Sequence, residues 1–453
     1  MNKCVTHKLL DSSCKKSPVL CKPLCTLVLT SLLLSSACFI QPSSAQALPT
    51  GGSVVHGVAE FDYNEENALH IQQTTQKTII NWDSFNIGEN QLTEFHQPNN
   101  NAIAVNRIVG NSIDPTQILG TLIANGKILV LDGNGVFFGP DSHVDVGGLL
   151  ASTGDIKDQD FITNDVITIY NAATHGAIIN QGQINIKDAG IAAFVSPTII
   201  NNGYITAKLG HVVLAAGTQA TLDLYGDGLL ELALDQGQKQ QIINAGHISA
   251  DGGYIHIEAA AASDAVDNLI MNTGVIAANS VSVDETGQIH LYAQGSQNTA
   301  SGASDTNLIV NDGLIEASGR EVAAQGGDVI LRGGAQSVVQ VSGSIDVSGK
   351  TGGYIEVTGD KVALFDHAFL DGRGDNGGGD ILIGGDYQGS GDTYTAQYTY
   401  ISSESTIAAD ALLSGDGGKV IVWADDTTRY YGDISAQAGA QSGDGGFVEV
   451  SGK

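Results

Sequence analysis

Cysteine is missing from nine-tenths of this chain. All five (Cys4, Cys14, Cys21, Cys25, Cys38) lie within the first 47 residues. Nothing beyond can therefore be stapled by a disulfide, carry a thiolate nucleophile or hold a metal through sulfur. Positive charge is scarce as well. After residue 47 the only arginines are Arg107, Arg320, Arg332, Arg373 and Arg429, and 15 basic residues stand against 48 acidic ones, a formal charge of −33. Such a surface repels polyanions, which excludes nucleic acid as a partner. Long helices are missing too: no apolar 3.6-residue pattern runs beyond a couple of turns, with one weak, Ala-rich exception over Ala259–Val266. There is no G-x-S-x-G elbow and no His pair at metal-ligand spacing.

What is present begins with a leader. Lys3, Lys8, Lys15, Lys16 and Lys22 precede an apolar run from Leu24 to Ile40, and Ala45-Gln46-Ala47 supplies a small-x-small cleavage site. The run is short and broken by Ser35 and Ser36, so it reads as a cleaved secretory signal over residues 1–47 rather than a membrane anchor. A lipoprotein signal at Ala37-Cys38 is the weaker rival, because Ser35 replaces the Leu expected three residues before the Cys.

The remainder is glycine-rich and repetitive. All 58 glycines follow residue 50, about twice the usual frequency. One phrase carries Asn-x-Gly: IINQGQINI (Ile178–Ile186), IINNGYITA (Ile199–Ala207), IINAGHISA (Ile242–Ala250), MNTGVIAA (Met271–Ala278) and VNDGLIEAS (Val310–Ser318). Asn180 to Asn201 is 21 residues, and the 43 from Asn201 to Asn244 read as two such steps. A second phrase opens on Gly-Gly, as in GGYIHIEA (Gly252–Ala259), GGDVILRG (Gly326–Gly333), GGYIEVTG (Gly352–Gly359), GGDILIGG (Gly378–Gly385), GGKVIVWA (Gly417–Ala424) and GGFVEVSG (Gly445–Gly452). Within both, hydrophobic and small or polar residues alternate, the mark of short half-buried strands. Strands of three to five residues repeating near 20 predict an all-β fold, a right-handed parallel β-helix, with Gly and Asn at corners that need positive φ or leave no room for a Cβ. A set of β-sandwiches explains the strands but not their recurrence. At this spacing 406 residues give about 20 coils, roughly 95 Å of stack. Residues 51–150 lack a clean repeat and suit an irregular N-terminal cap, and Gly154–Tyr170 breaks the rhythm as a projecting hairpin.

The least repetitive stretch has the most distinctive wording. In order come IQQTTQKTIINW (Ile71–Trp82), SFNIG (Ser84–Gly88), Phe95 with Gln97-Pro98, Asn106-Arg107, IDPTQILG (Ile113–Gly120) and Asn125-Gly126. Then follow Asp132-Gly133-Asn134-Gly135, VFFG (Val136–Gly139) and VDVGGLLAST (Val144–Thr153). From Gly57 to about Thr153 this resembles the N-terminal secretion domain of filamentous-haemagglutinin-type (TpsA-type) exoproteins, the secreted halves of two-partner secretion systems in Gram-negative bacteria. The resemblance implies recognition by a POTRA-bearing outer-membrane β-barrel transporter. Passage unfolded would follow Sec export through the periplasm, with folding outside the cell. It also implies a secreted or surface adhesin that meets host-cell or bacterial glycans or proteins. A chain that crosses unfolded must not be locked by a premature disulfide, in keeping with the missing cysteines. The family's Asn-Pro-Asn-Leu turn falls on Gln97, Pro98, Asn99 and Asn100, where only the Pro and the following Asn survive. Its Asn-Pro-Asn-Gly turn falls on Asp132, Gly133, Asn134 and Gly135. The resemblance makes both secretion-motif turns, although Asp-Gly and Pro-Asn also simply shape tight corners.

The domain organisation expected is a signal over 1–47, a two-partner secretion domain over 48–300 (cap about 51–150, first coils after), and Gly-rich β-solenoid repeats over 301–453. Arg373-Gly374-Asp375 spells a cell-binding triplet, but three residues in an Asp-Gly-rich corner carry little information. The same loop offers Asp371, Asp375 and Asp380 to calcium, without the tandem GGxGxD copies such sites use. No catalytic set, metal or cofactor is expected, and no enzyme. Two alternatives stand beside the adhesin: a β-helix polysaccharide lyase or hydrolase, which needs a carboxylate-lined groove on one face, and a fragment of a larger exoprotein whose stalk is cut short.

Overall fold

A computed structural model describes residues 48–170, 176–217, 219–223, 228–233, 240–260, 269–282, 285–294 and 307–453. The leader and its cleavage site lie outside these residues, as does most of the Ala-rich stretch, of which Ala259 and Ala260 end a strand. The rest is a parallel β-helix with three sheets. Face 1 has 14 strands, from Ser53–His56 and Lys77–Trp82 to Phe447–Val450. Face 2 has 11, from Thr116–Ile118 to Thr427–Tyr430, and face 3 has 14, from Ala59–Asp62 and Ala68–Gln73 to Asp433–Ser435. Each regular coil runs face 2, face 3, face 1, as in Ala177–Asn180, Gln183–Ile186 and Ile191–Val195.

Pleat alternation turns one side chain in two inward. Ile178, Ile199, Ile242, Ile270 and Ile309 stack in register on face 2, fully buried, and join one continuous core from Leu69 to Val422. The Asn-x-Gly and Gly-Gly phrases occupy two different corners. At the corner from face 2 to face 3, Asn180, Asn201, Asn244, Asn272 and Asn311 form a buried ladder. Each Nδ2 donates to the next Oδ1 at 2.7–2.8 Å. At the corner from face 3 to face 1 the second glycine of each pair stacks on the one below. A Cβ on Gly353 would stand 2.1 Å from the Gly327 carbonyl oxygen, and one on Gly379 would stand 2.2 Å from that of Gly353. These glycines have no positive φ. Close approach, not left-handed backbone, is what excludes a side chain there.

Three expectations from spacing are corrected. Asn201 pairs directly with Asn244, so the 43-residue step is one coil carrying an insertion, not two coils. Face 1 contains 13 parallel strands rather than about 20, because insertions and corners lengthen the average coil. The stack is then roughly 60 Å at ~4.8 Å per strand. Gly154–Tyr170 does not project. It forms a short helix, Asp158–Thr163, and a strand, Val166–Ile169, that pairs antiparallel with Gln219–Asp223 from the insertion. Phe161, Ile167, Ile169, Ala220 and Leu222 lie down on outward-facing Ile79, Val105, Leu129 and Ala193 as a second apolar layer.

Within residues 51–150 the antiparallel strands are Ser53–His56 and Ala59–Asp62, on Lys77–Trp82 and Ala68–Gln73 respectively, and parallel stacking begins at Ala68. Phe61, from the second of these capping strands, forms with Trp82, Phe85 and Phe95 a run of tilted rings 5.1–6.4 Å apart that closes the core at that end.

Candidate functional site

The two turns sit at opposite ends of face 1 strands, in different corners. Gln97-Pro98-Asn99-Asn100 connects Leu92–His96 on face 3 to Ile103–Ile108 on face 1. Gln97 is buried and stands at the foot of the glycine column. Its Oε1 accepts from the Gly126 N–H at 2.9 Å, while its own N–H donates to Asn125 Oδ1 at 2.7 Å. Its Nε2 donates to Gln73 Oε1 at 3.1 Å and to the Ala102 carbonyl at 3.2 Å. Below it, Gln73 Nε2 donates to the Thr75 and Ile103 carbonyls. The long amide thus supplies, for coils with no glycine here, the contacts that backbone supplies higher up. Pro98, Asn99 and Asn100 are exposed, and Asn99 is tied to Gln76 through a reciprocal amide pair of 2.8 and 3.2 Å.

The second turn, Asp132-Gly133-Asn134-Gly135, leads from Lys127–Leu131 on face 1 to Gly135–Phe138 on face 2. Asp132 is buried with its carboxylate fully engaged. Oδ2 accepts from the Thr116 N–H at 2.9 Å and the Thr116 hydroxyl at 2.7 Å, and Oδ1 accepts from the Asn134 N–H at 2.9 Å. The Gly135 N–H donates to the Asp132 carbonyl at 2.9 Å, which closes a tight turn. Gly135 has φ +112°, and a Cβ there would stand 2.4 Å from the Ala177 carbonyl oxygen. Asp132 thus ties this corner to the neighbouring coil through Thr116 and closes its own tight turn. Gly133 and Asn134 are exposed.

The structure does not bring the two turns together. A five-residue strand, roughly 17 Å at 3.3–3.4 Å per residue, lies between their corners. A shallow cleft opens beside the first turn, lined by Asn100, Lys127, Lys187, Asp188, Leu209 and His211 among others. Burial lowers the Lys127 ammonium to about 8, against a smaller raising pull from Asp223.

Arg373-Gly374-Asp375 lies flat in the wall of the stack. Arg373 forks onto Asp371 at 2.6 and 2.8 Å, and buried Gly374 bridges the coils on either side at Gly349 and Ala411. Asp371 is thereby engaged by arginine rather than open to calcium. The outward carboxylates Glu258 and Glu356 of face 1 are likewise paired. Glu258 holds His256 Nε2 at 2.9 Å and Glu356 grips Arg332 through two oxygens at 2.8 Å. Tyr254 Oη, 2.8 Å from both His256 and His290, completes this cluster, and burial first, then the neighbouring charges of His256 and Arg332, lower His290 to about 4.

Two arrangements escaped the sequence. Arg107, in a quoted phrase, clamps the surface helix through Asp155 at 2.8 Å and Asp158 at 2.6 Å. His70, Glu94 and His96 converge across two coils. Neither is visible in spacing, because partners 24 to 51 residues apart meet only once the coils stack.

The fold defines the class: a parallel β-helix closed at one end by two antiparallel capping strands over packed aromatic rings, with tight turns at the corners of its first coils. Comparison with known proteins agrees. The family described as TPS secretion domain matches residues 45–307. One heme/hemopexin-binding protein of Haemophilus influenzae (strain ATCC 51907 / DSM 11121 / KW20 / Rd) is 35% identical over 233 residues, 49% of this chain and 25% of its own length. A second H. influenzae protein of that name is 28% identical over 291 residues, 59% of this chain and 30% of its length. The chain thus spans about a quarter to a third of these curated relatives. The crystal structure of the HMW1 secretion domain from H. influenzae superposes with a TM-score of 0.64 at 28% identity, covering 89% of this chain and 95% of that one. The chain belongs to the two-partner secretion (TPS) domain family, and is a secreted exoprotein of that class. These relatives are exoproteins, not members of enzyme families.

Proposed function

We propose that the first coils are read by the periplasmic domains of a matching outer-membrane transporter, and that the exposed solenoid then serves as an adhesin. The Sec leader and periplasmic passage belong to the same proposal, as does the division into a secretion domain over 48–300 and a Gly-rich stalk over 301–453. What carries the reading is the split character of the Gln97–Asn100 turn. Gln97 is buried and anchors the corner, whereas Pro98, Asn99 and Asn100 point to solvent beside a polar cleft. That division lets one turn shape the fold and present side chains to a partner. Asn134 at the second turn offers a further exposed amide. Arg373–Asp375 lies in the stalk but is held to its own wall, so adhesion through other surfaces is the better reading.

Binding of the transporter's isolated periplasmic domains tests this. Asn100→Arg is expected to leave the melting temperature unchanged and weaken binding at least tenfold, about 1.4 kcal/mol. Gln97→Ala is expected to lower both. Undiminished binding of a folded Asn100→Arg protein would remove the turn from the recognition surface. A second reading, capture of a haem-carrying host protein, is favoured by the names of the two Haemophilus relatives. Retention of hemopexin by the secreted protein, against no retention of cells, would select it over the adhesin.

A further inference from the structure

His70, Glu94 and His96 stand on the outer side of face 3 in the first two coils, and one ligand atom from each lies within 4.8 Å of the others. The register produces this. His70 is the parallel partner of Glu94, and Gln72 of His96, so alternation sets Glu94 and His96 on the same side as His70. Glu94 Oε2 is 3.0 Å from His70 Nδ1 and 3.4 Å from His96 Nε2. The two imidazoles face each other, 5.9 Å between centroids and 19° from parallel.

We propose that these three side chains bind a divalent transition metal of the zinc class, ligated by His70 Nδ1, His96 Nε2 and Glu94 Oε2, with a fourth position open to water. Tetrahedral ligation at bond lengths of ~2.0–2.1 Å sets donor atoms roughly 3.4 Å apart. Two of the three separations already match, and His96, 48% exposed at its side chain, is free to rotate and close the third. A second observation points the same way. His70 Nε2, the nitrogen left over, lies 3.9 Å from the Glu65 carboxylate. A carboxylate behind a ligating histidine is the usual arrangement that fixes its tautomer and raises its basicity. Asp62, the antiparallel partner of His70, adds negative charge on the same side. Two imidazole nitrogens select zinc, copper or nickel over calcium or magnesium, which prefer all-oxygen shells. The metal would link the coil on which the capping strands rest to the coil above, one residue before Gln97.

Titration of the purified chain with Zn2+ at pH 7.5, paired with Cu2+ electron paramagnetic resonance, tests the site. One equivalent of Zn2+ should bind and raise the melting temperature, and millimolar Ca2+ or Mg2+ should not displace it. His96→Ala and Glu94→Gln should each weaken binding at least tenfold while the metal-free melting temperature holds. The Cu2+ spectrum should show coupling to two nitrogens, lost in His96→Ala. Failure to bind Zn2+ would overturn the proposal. So would binding that survives His96→Ala, or a Cu2+ spectrum without nitrogen coupling, since the metal would then sit on the abundant surface carboxylates.

Discussion

Asn201 occupies the middle of the buried amide ladder, accepting from Asn180 at 2.8 Å and donating to Asn244 at 2.7 Å. Replacement by Ala leaves the Asn180 amide only its longer bond to the Tyr204 carbonyl, at 3.4 Å, and strips the buried Asn244 Oδ1 of the Asn201 donor. The expected cost is about 2–3 kcal/mol, read as a lower urea midpoint at unchanged slope. An unchanged midpoint would mean that the ladder is decorative. All five ladder residues were legible in the sequence, because their Asn-x-Gly phrase recurs nearly verbatim. Gln97 and Asp132 were legible only as turn residues. Their burial was not, since partners such as Gln73 and Thr116 belong to neighbouring coils. Gln97 and Asp132 both spend their side chains on bonds within the fold. Gln supplies both donor and acceptor at the first turn, and Asp supplies acceptors to Thr116 and Asn134 at the second.

At the scale of the element, glycine decides how closely coils approach. Gly353→Ala forces a Cβ to 2.1 Å from the Gly327 carbonyl oxygen, whereas Gly445 has no heavy atom within 4 Å of the same construction. Gly353→Ala should destabilise by several kcal/mol and Gly445→Ala by less than about 0.5, measured side by side by thermal melting. Equal effects would contradict the close-packing account and favour backbone entropy. Strands and corners could be read from alternation and punctuation. Coil boundaries could not, because counting residues treats an insertion like a coil. The 43-residue step misled for that reason, and so did the segment 154–170. Its Phe161 and Ile167 look like stray hydrophobics until outward-facing Ile79 and Val105 are seen to need a cover.

For the whole molecule, stacking of near-identical coils makes stability a sum of neighbour contacts, so folding can propagate from the capped end. The two capping strands and their aromatic plug supply a closed end from which parallel strands grow, and the two turns proposed for transporter recognition lie within the first few coils beyond it. Export and folding are thereby joined in one region. A transporter that holds these coils would hold the part on which later coils are built. Each coil that forms outside the cell would also oppose return of the chain. On the proposed function, this protein leaves the cell through a dedicated partner. The most direct test compares its amount in the culture supernatant of matched strains with and without the cognate outer-membrane transporter gene. Abundant secreted protein is expected in the first and near-complete loss in the second. Equal amounts in both supernatants would contradict it.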